Sequence, residues 1–206
     1  MKGLLLKDWY MLIKCGTGSM IVCLLFFAIS IFGNGNLFFE VYPLILVGTI
    51  PVTLISYDER SGWLSYGNTF PYSRKQFVSV KYIYALGMFV VMMLLAVAVQ
   101  LLREILYGAD MHVNLSLLFG GAVGLIPPAI MLPIVFSFGS EKGRIAYVAV
   151  IVVACAVLPL LNMATENYMM YTNITTACFA AFPIALLIFA VSWLLSIKCF
   201  EGREQL

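Results

Sequence analysis

The chain has 206 residues, of which 63% are hydrophobic and only 11% charged, with a mean hydropathy of +1.00. A soluble domain carries about a quarter charged residues, and a soluble core could not hide this much apolar surface, so the composition excludes a soluble globular protein. The net charge of +2 says little by itself; in a membrane chain the placement of the basic residues carries the information.

Several runs of about 18 or more residues lack any charge and are long enough to cross a hydrocarbon core of about 30 Å as helices. The expected fold class is therefore an all-α polytopic membrane protein, built as a single transmembrane domain over residues 1–206. At its start, residues 1–14 read as an amphipathic interfacial helix. At about 100° per residue, Leu5, Leu6, Trp9, Leu12 and Ile13 cluster on one side, while Lys7, Asp8 and Lys14 fall on the other. Trp9 and Tyr10 suit the headgroup level and the lysines an anionic leaflet; the simpler alternative is a basic flank of the first span. Charges interrupt the apolar residues here and no small-residue cleavage site follows, so this segment is expected to stay attached.

The first span is expected over about Cys15 to Phe32, closing at the turn Gly33-Asn34-Gly35-Asn36, and the second over about Leu37 to Tyr57, with Pro43, Gly48 and Pro51 bending it. Residues 58–81, DERSGWLSYGNTFPYSRKQFVSVK, form the one long stretch rich in charge and turn residues. Two acids and Arg60 open it, Gly62 and Gly67 loosen it, Pro71 breaks it, and Ser73-Arg74-Lys75 looks like a helix start. A third span covers about Tyr82 to Leu102; its Gly87 to Val99 segment has no polar side chain and is expected to face lipid in part. A connector, REILYGADMHVN, leads to a fourth span over about Leu115 to Phe138. This span is interrupted by Pro127, Pro128 and Pro133, and its Gly120, Gly121 and Gly124 permit close backbone approach. A fifth span over about Ile145 to Leu161, a polar loop over Asn162 to Thr175 and a sixth span over about Thr176 to Ile197 complete six transmembrane helices.

With six spans, Lys2, Lys7, Lys14, Arg60, Arg74, Lys75, Lys81, Lys142, Arg144, Lys198 and Arg203 fall on one side, 11 of the 12 basic residues, and Arg103 alone on the other. The positive-inside rule then makes both termini and the 58–81 loop cytoplasmic. Its acids, Trp63 and Tyr66 read as a docking surface, against the alternative of an ordinary solvated loop that only sets topology.

No phosphate-binding loop ending in Gly-Lys-Ser or Gly-Lys-Thr occurs, so ATP hydrolysis is expected elsewhere. His112 is the lone histidine, without a partner at ligand spacing, and HExxH is missing; no catalytic residue, metal site or cofactor is expected. The five cysteines are odd in number and lack CxxC spacing, and read as packing residues. No acidic or basic residue falls centrally in any span, which argues against a proton- or sodium-coupled carrier.

In its first 82 residues or so the chain resembles the ABC type-2 permeases. The matching residues are Lys7-Asp8-Trp9 in the interfacial segment, Asp58-Glu59, Gly62-Trp63, then Thr69-Phe70-Pro71-Tyr72-Ser73-Arg74-Lys75 and Lys81-Tyr82. It looks most like the small bacterial branch that includes permeases of the phenol-soluble modulin exporter type. The resemblance implies a permease subunit in a bacterial cell membrane, paired with a second permease chain, identical or paralogous, and docked on a separate cytoplasmic ABC ATPase. Carried over residue by residue, it implies an ATPase-coupling element of Asp58, Glu59, Arg60, Gly62, Trp63, Tyr66 and Pro71. An apolar lining without buried charge would suit export of an amphipathic peptide or lipid-like molecule; no nucleic-acid partner is implied. The alternative reading is a non-transport immunity, assembly or sensor subunit that holds a cytoplasmic partner on the same loop.

Overall fold

A computed structural model describes residues 2–32, 37–63, 73–107, 113–139, 145, 148–149 and 171–202. Among the described residues there are seven helices: α1 (Lys2–Cys15), α2 (Thr17–Phe32), α3 (Leu37–Val47), α4 (Ile50–Arg60), α5 (Arg74–Tyr107), α6 (Val113–Phe138) and α7 (Tyr171–Gly202). There is no strand among the described residues, in keeping with a bilayer's demand that backbone groups be satisfied within the segment. Among the described residues four helical stretches are long and apolar enough to cross a membrane, namely Phe39–Arg60, Arg74–Leu106, Gly120–Phe138 and Ala180–Phe200, and α1 with α2 makes a fifth if the bent pair is one span. The expected fifth span lies almost wholly outside the described residues, and of the expected Asn162 to Thr175 loop the last five residues, 171–175, are helical and belong to α7.

Helices α1 and α2 meet at an angle of 64°. The bend sits at Gly16, whose N–H still donates to the Leu12 carbonyl at 2.7 Å. A Cβ there would lie 2.7 Å from that same oxygen, so the approach requires glycine. The faces of α1 are not those the helical wheel predicts. Leu4, Asp8 and Leu12, an i, i+4 row, point into the bundle, whereas Leu6, Trp9, Tyr10 and Ile13 point out. The wheel put Asp8 with the solvated charges because it could not see the lysines that wait for it inside.

The second span is broken. Gly48 and Thr49 separate α3 from α4, with the Gly48 N–H turned to Ile45 at 3.1 Å and the Thr49 hydroxyl donating to the Leu46 carbonyl at 2.7 Å. Pro51 in the first turn of α4 needs no N–H there. The third span is longer than predicted: α5 begins at Arg74 and has 34 residues, about 50 Å of helix. Asp58 and Lys81, expected at the two ends of a loop, are therefore both helical. Along α5 the side chains of Val90, Val91, Leu94 and Leu101 are exposed, as expected for a lipid-facing stripe.

Helix α6 runs unbroken through Pro127, Pro128 and Pro133, where the sequence predicts an interruption. Proline at 133 has no N–H to give to the Ala129 carbonyl, and the Ser192 hydroxyl of α7 donates to that oxygen instead, at 2.6 Å. Small residues bring α6 against its neighbours. A Cβ on Gly124 would lie 2.8 Å from the Leu44 Cβ, one on Gly120 2.9 Å from Val41, and one on Gly48 2.7 Å from the Pro128 ring. At the centre, Tyr82 of α5 shares its hydroxyl with Ser192 and Ser196 of α7 at 2.8 and 2.6 Å, and its ring stacks on Trp193.

These contacts also sort the helix ends. The ends of α4, α6 and α7, the start of α5, and α1 gather at one end, where Phe200 packs on Phe77 and Phe136 and accepts a bond from Arg74. The end of α2, the start of α3 and the end of α5 gather at the other.

Packing at Gly48 is checked by substitution. Gly48→Ala meets a rigid proline ring and is expected to cost about 1–3 kcal/mol in detergent-solubilised protein. Gly18→Ala, on an open helix surface, is expected to be neutral or to stabilise by up to about 1 kcal/mol. Equal thermal unfolding midpoints for the two variants would contradict the close α3–α6 approach.

Candidate functional site

At the end where α1, α4 and α5 meet, four charged side chains close into a ring. Asp58, near the C-terminus of α4, holds Lys7 of α1 with one carboxylate oxygen and Lys81 of α5 with the other, the latter at 2.7 Å. Lys81 also reaches Asp8 at 2.8 Å, and Lys7 lies 3.4 Å from the other oxygen of Asp8. Each ammonium thus bridges two carboxylates and each carboxylate two ammoniums. Asp8, Asp58 and Lys81 are 1%, 0% and 1% exposed, and only Lys7 reaches the surface. Two positive and two negative charges cancel, which is what permits such a group inside a bundle where a lone charge would be prohibitive.

Local sequence places each member. Asp8 falls one turn from Leu4 and one from Leu12 on the buried row of α1, and Lys7 beside it reaches round the helix edge. Asp58 sits in the last turn of α4, just before a stop at Ser61 and Gly62. Gly62 has φ +67°, the left-handed conformation that ends helices and that glycine adopts without strain. Its N–H closes on the Glu59 carbonyl at 3.2 Å. The chain then turns Trp63 back under the ring, where Lys7 Nζ lies 4.5 Å from the indole centroid in a cation–π contact. The Tyr84 hydroxyl adds a further tie from α5 by donating to the Leu5 carbonyl of α1.

The structure therefore brings together Lys7, Asp8, Asp58 and Trp63, which the sequence reading put in two separate elements. Asp58 is enclosed and faces inward, not outward as the expectation of a docking acid would have it. Arg60, Ser61 and Gly62 are exposed, Glu59 is half-buried, and Trp9 lies on the outer face of α1 away from the ring. Tyr66 and Pro71 lie outside the described residues, as does His112. Lys81 is the member that sequence reasoning missed: it was counted as a loop cation, although its position two residues after Ser79 in an apolar helical run was a signal. Among the described residues no group of three or more histidine, cysteine or acidic side chains could hold a metal ion.

Compared with known proteins, the chain matches the family described as ABC-2 family transporter protein over residues 3–201. The chain belongs to the ABC-2 transporter family. No curated protein and no solved structure matched it. As an ABC-2 family member the chain is a permease component, a multi-pass membrane part of an ABC transporter, and its family implies a separate ABC ATPase as partner. In this permease the ring joins α1 to the two helices that flank residues 61–73.

Breaking the ring and neutralising it have different costs. Lys81→Met leaves two carboxylates facing one lysine and is expected to cost about 3–5 kcal/mol. Adding Asp58→Asn leaves one charge of each sign and is expected to recover more than half of that loss. Thermal unfolding of the two variants in detergent measures the difference; equal destabilisation by the single and double variants would contradict the closed ring.

Proposed function

We propose that this chain is the permease of an ATP-driven exporter of the small bacterial branch that includes the phenol-soluble modulin type. In this reading the ring end of the bundle, with its basic residues Lys14, Arg60, Lys75 and Lys198, faces the cytoplasm. Residues 58–72 are the coupling element, and a cytoplasmic ABC ATPase docks there. The exposed turn Arg60-Ser61-Gly62 with Glu59 meets the ATPase, while Asp58 and Trp63 carry the displacement inward. A second permease chain, identical or paralogous, completes the transporter, and the substrate is an amphipathic peptide or lipid-like molecule.

The single observation that carries this reading is the ring itself. The exposed turn Arg60-Ser61-Gly62 at the end of α4 would by itself move nothing, but α4 and α5 are both tied through Asp58 and Lys81 to α1. A push on the turn therefore shifts three helices together, as a packed unit with discrete arrangements rather than a flexible loop. Driving such a shift requires an ATPase that binds the two arrangements with different affinity, which closure of its nucleotide sites on ATP supplies.

Purification from native membranes in mild detergent, followed by identification of what stays bound, is the direct test. A stoichiometric subunit with a phosphate-binding loop is expected; recovery of the chain alone would contradict the proposal. In the reconstituted complex Trp63→Ala is expected to leave insertion and ATPase binding intact while export falls about tenfold or more at an ATPase rate near the parent's. Export at the parent rate in Trp63→Ala would remove the tryptophan from the mechanism.

A further inference from the structure

The far end of the same bundle holds a second buried polar cluster, and no sequence feature pointed to it. Glu40 of α3 is 5% exposed and accepts from three directions: Gln100 and Arg103 of α5, each at 2.9 Å, and the Ser30 hydroxyl of α2 at 3.3 Å. Arg103 was the one basic residue on the side otherwise free of them, and its place is now explained by the carboxylate it neutralises. Arg103 gives Glu40 a single nitrogen, and its buried Nε has no hydrogen-bond partner. A buried donor left unmade weakens the closed arrangement relative to one in which the guanidinium reaches water or headgroups. The arginine is also the partly exposed member of the pair, near the end of a long helix, so its path outward is short.

The backbone supplies the remaining part. α3 carries Glu40 and α4 carries Asp58, and the two are separated at Gly48 and Thr49, where the helix ladder is interrupted against Pro127 and Pro128. The α3–α4 span is therefore held to α5 at both of its ends, with a pivot between them.

We propose that Glu40, Gln100 and Arg103 form a latch that keeps the far end of the bundle closed, and that α3 opens it by pivoting at Gly48–Thr49 when the ring end is displaced. The closed latch seals the polar interior at Ser30 and Gln100, and release exposes it to the far side of the membrane. The nucleotide dependence of release rests on the exporter reading above; the latch itself does not.

The test uses the full chain in membrane vesicles, with the native cysteines replaced by alanine and Val99→Cys, a buried neighbour of Gln100, as reporter. The probe is a membrane-impermeant maleimide supplied to the far side. Labelling of the parent is expected to be slow, and Glu40→Gln is expected to speed it about tenfold or more. A second reporter, Val78→Cys at the ring end, is expected to stay protected in Glu40→Gln, which separates local opening from loss of fold. Glu40→Arg is expected to label fast and the reversed pair Glu40→Arg with Arg103→Glu to return close to the parent rate. Labelling of Glu40→Gln at the parent rate overturns the latch, and so does exposure of both reporters together. In the complex with its ATPase, ATP with vanadate is expected to raise parent labelling by a similar factor. A flat response there, with the Glu40→Gln result intact, keeps the latch and overturns its coupling to ATP.

Discussion

Two lysines and two aspartates sharing their charges in a closed cycle constrain this bundle more than any other contact. In a low-dielectric interior the cycle holds only while it is complete, because removal of one member strands an opposite charge away from water. That all-or-none character sets the position of α1. Its apolar residues are divided between two faces, and the outward set of Leu6, Trp9, Tyr10 and Ile13 does not hold it to the bundle; Asp8 and Lys7 fix it against α4 and α5. Trp63 and Gly62 then follow from the ring, one lying under Lys7 and the other ending α4 so that the chain can turn.

The apolar middle of the bundle obeys a different rule. Between helices that are all apolar, association depends on close packing and on polar groups finding partners, since lipid offers no hydrophobic drive. Glycines at 48, 120 and 124 let α3 and α6 approach until an added Cβ would collide. Serine hydroxyls supply several of these partners: Ser192 satisfies the Ala129 carbonyl that Pro133 cannot, Ser137 returns to the carbonyl of Pro133 at 2.7 Å, and Ser192 with Ser196 holds Tyr82. At Ala129 the neighbouring helix supplies the donor that Pro133 lacks.

Much of this was legible in the sequence, and what was not has a physical cause. Apolar runs locate the helices, glycine spacing marks the tight helix contact, and the KDW and DER segments mark the two places where charge gathers. Periodicity assigns a residue to a face by its own chemistry, however, and so put Asp8 with Lys7 in solvent. Burial of an acid depends on cations that arrive from elsewhere in the chain: Lys81 is 73 residues away from Asp8, as their numbers give, and no local pattern announces the meeting. Glu40 escaped for the same reason, its partners lying on α2 and α5. The proline-containing span was predicted as interrupted because the rescuing serine belongs to another helix.

The ring makes α1, α4 and the start of α5 one mechanical unit, and in the proposed function a partner ATPase acts on it through the exposed turn Arg60-Ser61-Gly62. Spin labels at Tyr10 of α1 and Arg60 of α4, both exposed, report on that unit; a third at Leu187 of α7 reports on its position within the bundle. The decisive measurement is the pair of distances Tyr10–Arg60 and Arg60–Leu187 in the ATPase complex, without nucleotide and trapped with ATP and vanadate. The first distance is expected to stay constant while the second changes. A change in the Tyr10–Arg60 distance would show that α1 and α4 move apart, and would contradict the ring as the element that transmits motion.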